Sequence, residues 1–266
     1  MKGLSSKDKP RRENVEADKT SMFEGLTFEG FKRLAKDNSL SPYEKIGFPD
    51  SYREGKEEII LDDIVSKLTN LKMRKQVVLD IGPGCSGLAL LLIELCRKQG
   101  HTLLLVDSQE MLDHLPDESF TIKIAGSYPD DCRETLERYA GNVSAILTYS
   151  VLQYVFVESS IFDFVDHSLG LLSEGGQMLI GDIPNVSKRK RFFSSPNGVR
   201  FHQNFTQNRE TPSVNFNTIE VRKIDDAVIL SLLMRCRAAG YDAYVLPQGA
   251  GLPMANRRED ILITKP

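Results

Sequence analysis

Apolar and polar positions fall into blocks whose period changes regularly along the chain. Val77-Val78-Leu79 is a continuous apolar run of strand length, and Leu88 to Lys98 follows at helical spacing until Gly100 ends it. Leu103 to Val106 reads as a second strand, and Gln109 to Leu115 as a short helix stopped by Pro116. The series continues with a strand at Ile122 to Ala125, a helical stretch around Cys132 to Tyr139 and a strand at Ala145 to Thr148. A helix at Ile161 to Leu172 and a strand at Met178 to Ile180 close it. Strand alternating with helix predicts an α/β fold, a doubly wound, mostly parallel sheet. Near the end, Ala227 to Ala239 reads as a helix stopped by Gly240, and Ala243 to Leu246 with Asp260 to Thr264 as an antiparallel hairpin edge.

Upstream the pattern differs. Residues 1–20 carry six basic and four acidic side chains with only Met1, Leu4, Val15 and Ala17 apolar, which predicts a disordered tail. Residues 21–71 are amphipathic and predict an N-terminal helical cap: Phe28, Phe31 and Leu34 mark one helix, and Ile59, Ile60, Ile64, Val65 and Leu68 another. Between them Ser39 to Gly55 reads as an aromatic loop carrying Tyr43, Phe48, Tyr52 and Arg53, broken by Pro42 and Pro49. The remainder, 72–266, forms the expected α/β domain, with an insertion at 184–224 after strand five. That insertion holds eight Lys/Arg against Glu210 and Glu220, a local +6 in a chain whose 34 basic and 37 acidic residues leave −3.

A net negative chain is not the basic body of a general nucleic-acid binder, so any anion site must be local. The longest apolar run, Leu88 to Ile93, is far short of the ~18 residues that cross a bilayer. No secretory apolar core follows Lys2 and Lys7, so a cytoplasmic location is expected. Cys85, Cys96, Cys132 and Cys236 are widely spaced and form no ligand cluster; neither a metal site nor a disulfide framework is expected.

The sharpest motif is Val78-Leu79-Asp80-Ile81-Gly82-Pro83-Gly84-Cys85-Ser86-Gly87, at the passage from strand to helix. Gly82 and Gly84 remove the Cβ atoms that would hold a ligand off the backbone, and Gly87 lets the helix start close to the sheet. Asp107 ends the second strand, where a carboxylate accepts hydrogen bonds from both hydroxyls of a ribose. Together these imply an adenosine-containing cofactor. The glycine spacing is also the dinucleotide fingerprint. Asp80, two residues before the first glycine, repels a pyrophosphate and favours an ammonium or sulfonium.

At this point the sequence resembles the class I S-adenosylmethionine-dependent methyltransferases of small-molecule type. Leu171-Leu172-Ser173-Glu174-Gly175-Gly176 and the strand after it look like that family's turn and fifth strand, and Ile146 to Val155 like its fourth strand and following helix. The resemblance implies that Asp80 with Gly82, Pro83 and Gly84 holds the methionine end of S-adenosyl-L-methionine, Asp107 the ribose, and Gly126-Ser127 the adenine, with Ser108 and Tyr149 also cofactor-binding. Ser86 stands where a third glycine often sits, and Ser127 where an acid often reaches the adenine amine.

Methyl transfer relies on alignment, with a general base where the acceptor loses a proton. Tyr149, Asp182 and His202 are the candidates for that base, with Tyr154 beside strand four. Lys188, Arg189 and Arg191, next to Phe192 and Phe193, are candidate contacts for an anionic small-molecule acceptor, phosphorylated or nucleotide-linked. Tyr43, Tyr52 and Arg53 are candidate ligand contacts from the cap. The alternatives are an RNA methyltransferase, a nicotinamide-dependent oxidoreductase, and a non-catalytic S-adenosylmethionine-binding protein.

Overall fold

A computed structural model describes Phe23 and residues 25–266. The expected tail over 1–20 lies outside the described residues.

Among the described residues four α-helices precede the sheet. Thr27 caps α1 (Phe28–Lys36) by accepting from Gly30 N at 3.1 Å. Ser41 and Glu44 form a reciprocal capping box on α2 (Pro42–Lys45), with Pro42 at the first helical position. The short α3 (Asp50–Arg53) follows, then α4 (Glu57–Lys67). The segment expected as an aromatic loop is thus partly helical; both helices are only four residues long, too short for a periodic apolar stripe to announce them.

The strands are β1 (Val77–Ile81), β2 (Thr102–Asp107), β3 (Thr121–Ala125), β4 (Val143–Tyr149) and β5 (Leu172–Pro184), separated by α5 (Gly87–Gln99), α6 (Gln109–Leu112), α7 (Arg133–Glu137), and the pair α8 (Leu152–Glu158) and α9 (Ile161–Leu171). After β5 come α10 (Val186–Phe193), α11 (Pro196–Thr206), α12 (Asp226–Ala238), β6 (Asp242–Pro247) and β7 (Arg258–Thr264). The sheet order is β3-β2-β1-β4-β5-β7-β6. Every neighbouring pair is parallel except those made by β7, which runs antiparallel to both β5 and β6.

Alternation along β1 divides the core between the two faces of the sheet. Leu79 and Ile81 pack with Phe164 and Leu169 of α9 and Leu232 of α12. Val78 packs with Ile60 and Ile64 of α4 and Leu92 and Cys96 of α5. This burial fixes the register of β1 and carries Asp80 to the α4/α5 face. Among the described residues no helix is long and apolar enough to cross a membrane, and all four cysteines are buried and free.

The basic insertion is folded. Asn185 caps α10 and Ser195 caps α11, whose first residue is Pro196. The two helices approach so closely that a side chain at Gly198 would collide with Phe192 O. The insertion thus opens with a helical pair.

Candidate active site

A cleft of about 360 Å³ opens at the carboxyl ends of the central strands, with α1 to α4 forming its other wall. Ligand sites of open α/β sheets lie at this edge.

The turn after β1 is its floor. Gly82 and Gly84 adopt φ of +73° and +63°. A Cβ at Gly82 would lie 2.6 Å from Val151, and one at Gly84 2.5 Å from Ile46, so only glycine lets the turn pass between the β4 end and the cap. Asp107 fastens this turn to β2, accepting from Gly84 N at 3.0 Å and Ser108 N at 2.7 Å. Burial pushes Asp107 up to about 6 although these two N–H groups favour its charged form.

Asp80 is 4 % exposed and accepts no hydrogen bond from a described residue. Burial, with the adjacent Asp107 carboxylate, pushes it up to about 8. An orphaned buried carboxylate beside a second one is costly, and a cation brought to this pair relieves both. At the start of α4, Glu57 accepts from Tyr43 Oη and lies over Gly87 at the start of α5. Burial and Glu57 together push Tyr43 up to about 12.

The cleft wall is also aromatic. Phe31 and Tyr154 meet edge-on at 4.8 Å, and Tyr128 and Phe164 at 5.2 Å. Tyr149 lies flat over Gly181, where any side chain would collide with its ring. Arg53 is held between Phe48 and Tyr149, its guanidinium 4.3 Å and 5.5 Å from the ring centres. It is the sole basic residue among those lining the cleft.

Of the residues singled out by the sequence, Gly82, Pro83, Gly84, Asp107, Gly126, Ser127, Tyr149, Tyr43 and Arg53 line the cleft. Asp80 lies beneath the turn, and Ser108 is buried as the cap of α6. Tyr52 is not part of the lining.

Asp182, His202 and the basic run are not part of the cleft lining. Asp182, at a bulge of β5 with φ +57°, is buried and bonded to Arg53, Ser150, Gln248 and Arg258. Burial pushes its carboxyl up, but Arg258 and Arg53 outweigh that and hold it below the usual carboxylate range. His202 lies on α11, edge-on to Phe193 at 6.2 Å, in a separate hollow lined by the insertion. The basic run is engaged within the fold. Lys188 donates to Arg258 O, Arg189 pairs with Glu220, and Arg191 with Asp226. Glu57 and Ser150 were not singled out beforehand; Glu57 reads in sequence as an ordinary first-turn helix acid, and only the fold carries it to α5. Tyr149 remains in the cleft wall, but burial first and Asp182 second hold its hydroxyl well above 10, which suits a neutral hydrogen-bond donor and not a base. Among the described residues no cluster of three His, Cys, Asp or Glu could hold a metal ion.

No protein-family model matches the chain, and no curated protein matches it. Solved structures do. The CurJ carbon methyltransferase superposes with a TM-score of 0.54 at 13% identity, over 99% of this chain and 72% of that one. The plantazolicin methyltransferase BpumL, solved with SAH, gives 0.53 at 12% identity over 97% and 98%. Its counterpart BamL, solved with a triazolic desmethylPZN analog and SAH, gives 0.53 at 11% over 95% and 98%. The chain therefore has the class I methyltransferase fold.

Proposed function

We propose that this chain is an S-adenosylmethionine-dependent methyltransferase acting on an oxygen or nitrogen of a small, anionic acceptor. The observation that carries the reading is Asp80, buried beneath the glycine turn beside the half-buried Asp107 and with no hydrogen-bond partner among the described residues. A carboxylate destabilised by burial and by a neighbouring carboxylate favours a donor that brings an ammonium and a sulfonium. A dinucleotide brings a pyrophosphate, and Glu57 already stands at the helix N-terminus that would hold it.

In this reading Asp80 and the Gly82–Gly84 backbone hold the methionine end, and Asp107 holds the ribose hydroxyls. Gly126 and Ser127 border the adenine. When bound, the donor supplies a methyl carbon whose bond to sulfur breaks with its electron pair as the acceptor's lone pair attacks. The chain's own contribution is placement. Phe31, Phe48, Tyr149 and Tyr154 exclude water from the acceptor end and confine its approach, and alignment of this kind contributes up to ~7–11 kcal/mol. The proton released by an O–H or N–H acceptor has carboxylates within the cleft, Glu57 among them, to receive it.

Incubation of the protein with isotopically labelled S-adenosylmethionine and metabolite extracts, followed by mass spectrometry, tests this directly. Label should appear in a small product with the wild type and not with Asp80→Asn. Label found only in RNA, or in no product, would reject it.

A further inference from the structure

We propose that the insertion between β5 and α12 carries a docking surface for anionic lipid, through which the chain binds peripherally to a negatively charged membrane. The inference goes beyond the donor and acceptor of the cleft and does not depend on them.

Large apolar side chains of this stretch stand in water. Phe201 and Phe205, one turn apart on α11, stack with parallel rings at 6.2 Å, and Phe205 is 69 % exposed. In the segment between α11 and α12, Phe216 is 59 %, Ile219 88 % and Val221 79 % exposed. Ile219 does not reach water through slack in the chain. Its neighbours on both sides are tied to α10: Lys190 Nζ donates to Thr218 O at 2.7 Å, and Arg189 donates to both carboxylate oxygens of Glu220 at 2.6 and 2.8 Å. Just beyond, Ile224 is buried and its carbonyl accepts from Val186 N at 2.9 Å. A segment fastened at 218, 220 and 224 that still holds an isoleucine and a valine in water forgoes burial, and an exposed apolar patch of this kind marks a contact surface.

Charge selects the contact. Residues 196–223 hold Arg200, Arg209, Arg222 and Lys223 against Glu210 and Glu220. Glu220 is already shared by Arg189 and Lys190. Among the described residues none of those four cations forms an ion pair, and all four are exposed. The patch is therefore apolar and cationic together, in a chain whose net charge is −3. A second copy placed patch to patch would set like charge against like charge. Nucleic acid would match the cations and stack on the phenylalanines, but it offers nothing to Ile219 and Val221, the two most exposed of the set. The interface of an anionic bilayer takes rings, aliphatic groups and cations at once: the apolar side chains enter the acyl boundary while Arg and Lys stay among the headgroups. It also asks for no shaped groove, which suits a patch shared by one helix and a segment without regular structure. The insertion begins where β5 ends, at the sheet edge on which the cleft opens, so docking holds that edge to the lipid surface.

Co-sedimentation of the full chain with phosphatidylcholine vesicles, with and without about 30% phosphatidylserine, tests the inference. At roughly 0.1 M salt the chain should partition onto the anionic vesicles about tenfold or more better than onto the neutral ones, and about 0.5 M salt should remove most of that difference. Arg222→Gln with Lys223→Gln should weaken binding to anionic vesicles about tenfold or more, each cation near the surface being worth roughly fivefold. Phe205→Ser with Ile219→Ser should weaken it by about the same factor. These side chains are exposed, so both double variants should keep the wild-type melting temperature. No partition onto either vesicle, equal partition onto both, unchanged binding by either double variant, or retention on polyuridylic RNA without retention on vesicles would overturn the proposal. A concentration-dependent dimer that both double variants dissolve would overturn it as well.

Discussion

Glu57 lies across the first turn of α5 from Gly87: a methyl group at that glycine would sit 3.1 Å from Glu57 Cγ and 3.2 Å from its Oε1. The helix start that a dinucleotide fold reserves for phosphate is faced here by the chain's own carboxylate. Glu57→Gln should weaken binding of the cationic donor about two- to fivefold, the worth of roughly 0.5–1 kcal/mol at a partly buried charge. Calorimetric titration measures it, and an unchanged dissociation constant would reduce Glu57 to a helix-capping charge.

Gly84 and Ile46 are coupled by contact. Gly84→Ala should destabilise the fold by about 2–5 kcal/mol, combining a left-handed backbone with overpacking against Ile46. In an Ile46→Ala background the overpacking share disappears. Chemical denaturation of the four proteins should give a coupling of ~1–3 kcal/mol. Strict additivity would mean that the cap does not rest on the turn.

The carboxylate pair sets a pH dependence of known sign. Asp80 and Asp107 stand at about 8 and about 6, above the ~3.9 of an unfolded chain, so the folded state holds the extra protons. The pair's contribution to stability is complete below about pH 4 and is lost as pH rises towards about 8. Donor affinity should move the opposite way, rising through the same window as the carboxylates ionise. Asp80→Asn should flatten the stability profile of the ligand-free protein and weaken the donor. Melting curves recorded with and without S-adenosylmethionine from about pH 5 to about pH 9 show both trends; donor affinity that falls with rising pH would contradict them.

Much of this architecture is legible in the chain. The apolar blocks at Val77, Leu103, Ile122, Ala145 and Met178 become β1 to β5 in that order, and the closing pair becomes β6 and β7. Their periodicity is local and survives without tertiary information. The glycine turn and Asp107 are legible too, because a turn of positive φ and a strand-end acid carry their own residue signatures. What the chain hides is pairing. Asp182 looks available in sequence, yet two arginines from distant segments, Arg53 and Arg258, enclose it. Lys188 to Arg191 look like an anion trap, yet Glu220 and Asp226 already answer Arg189, Lys190 and Arg191, and Lys188 donates to Arg258 O. Charge partners thirty or more residues apart leave no period to detect.

Those surface pairs are expected to be functionally silent. Arg189 and Arg191 are about half exposed, and exposed ion pairs contribute roughly 0–1 kcal/mol. Arg189→Ala combined with Arg191→Ala should lower stability by no more than about 1–2 kcal/mol and leave methyl transfer at the wild-type rate. A large fall in transfer with unchanged stability would return the insertion to the acceptor site.

The most direct measurement is a pair of calorimetric titrations of the purified chain, one with S-adenosylhomocysteine and one with a nicotinamide dinucleotide. Saturable binding of the first at one site per chain, lost in Asp80→Asn, and no heat from the second is the expected result. Binding of the dinucleotide with none of S-adenosylhomocysteine would contradict the assignment of this acidic turn to a positively charged donor.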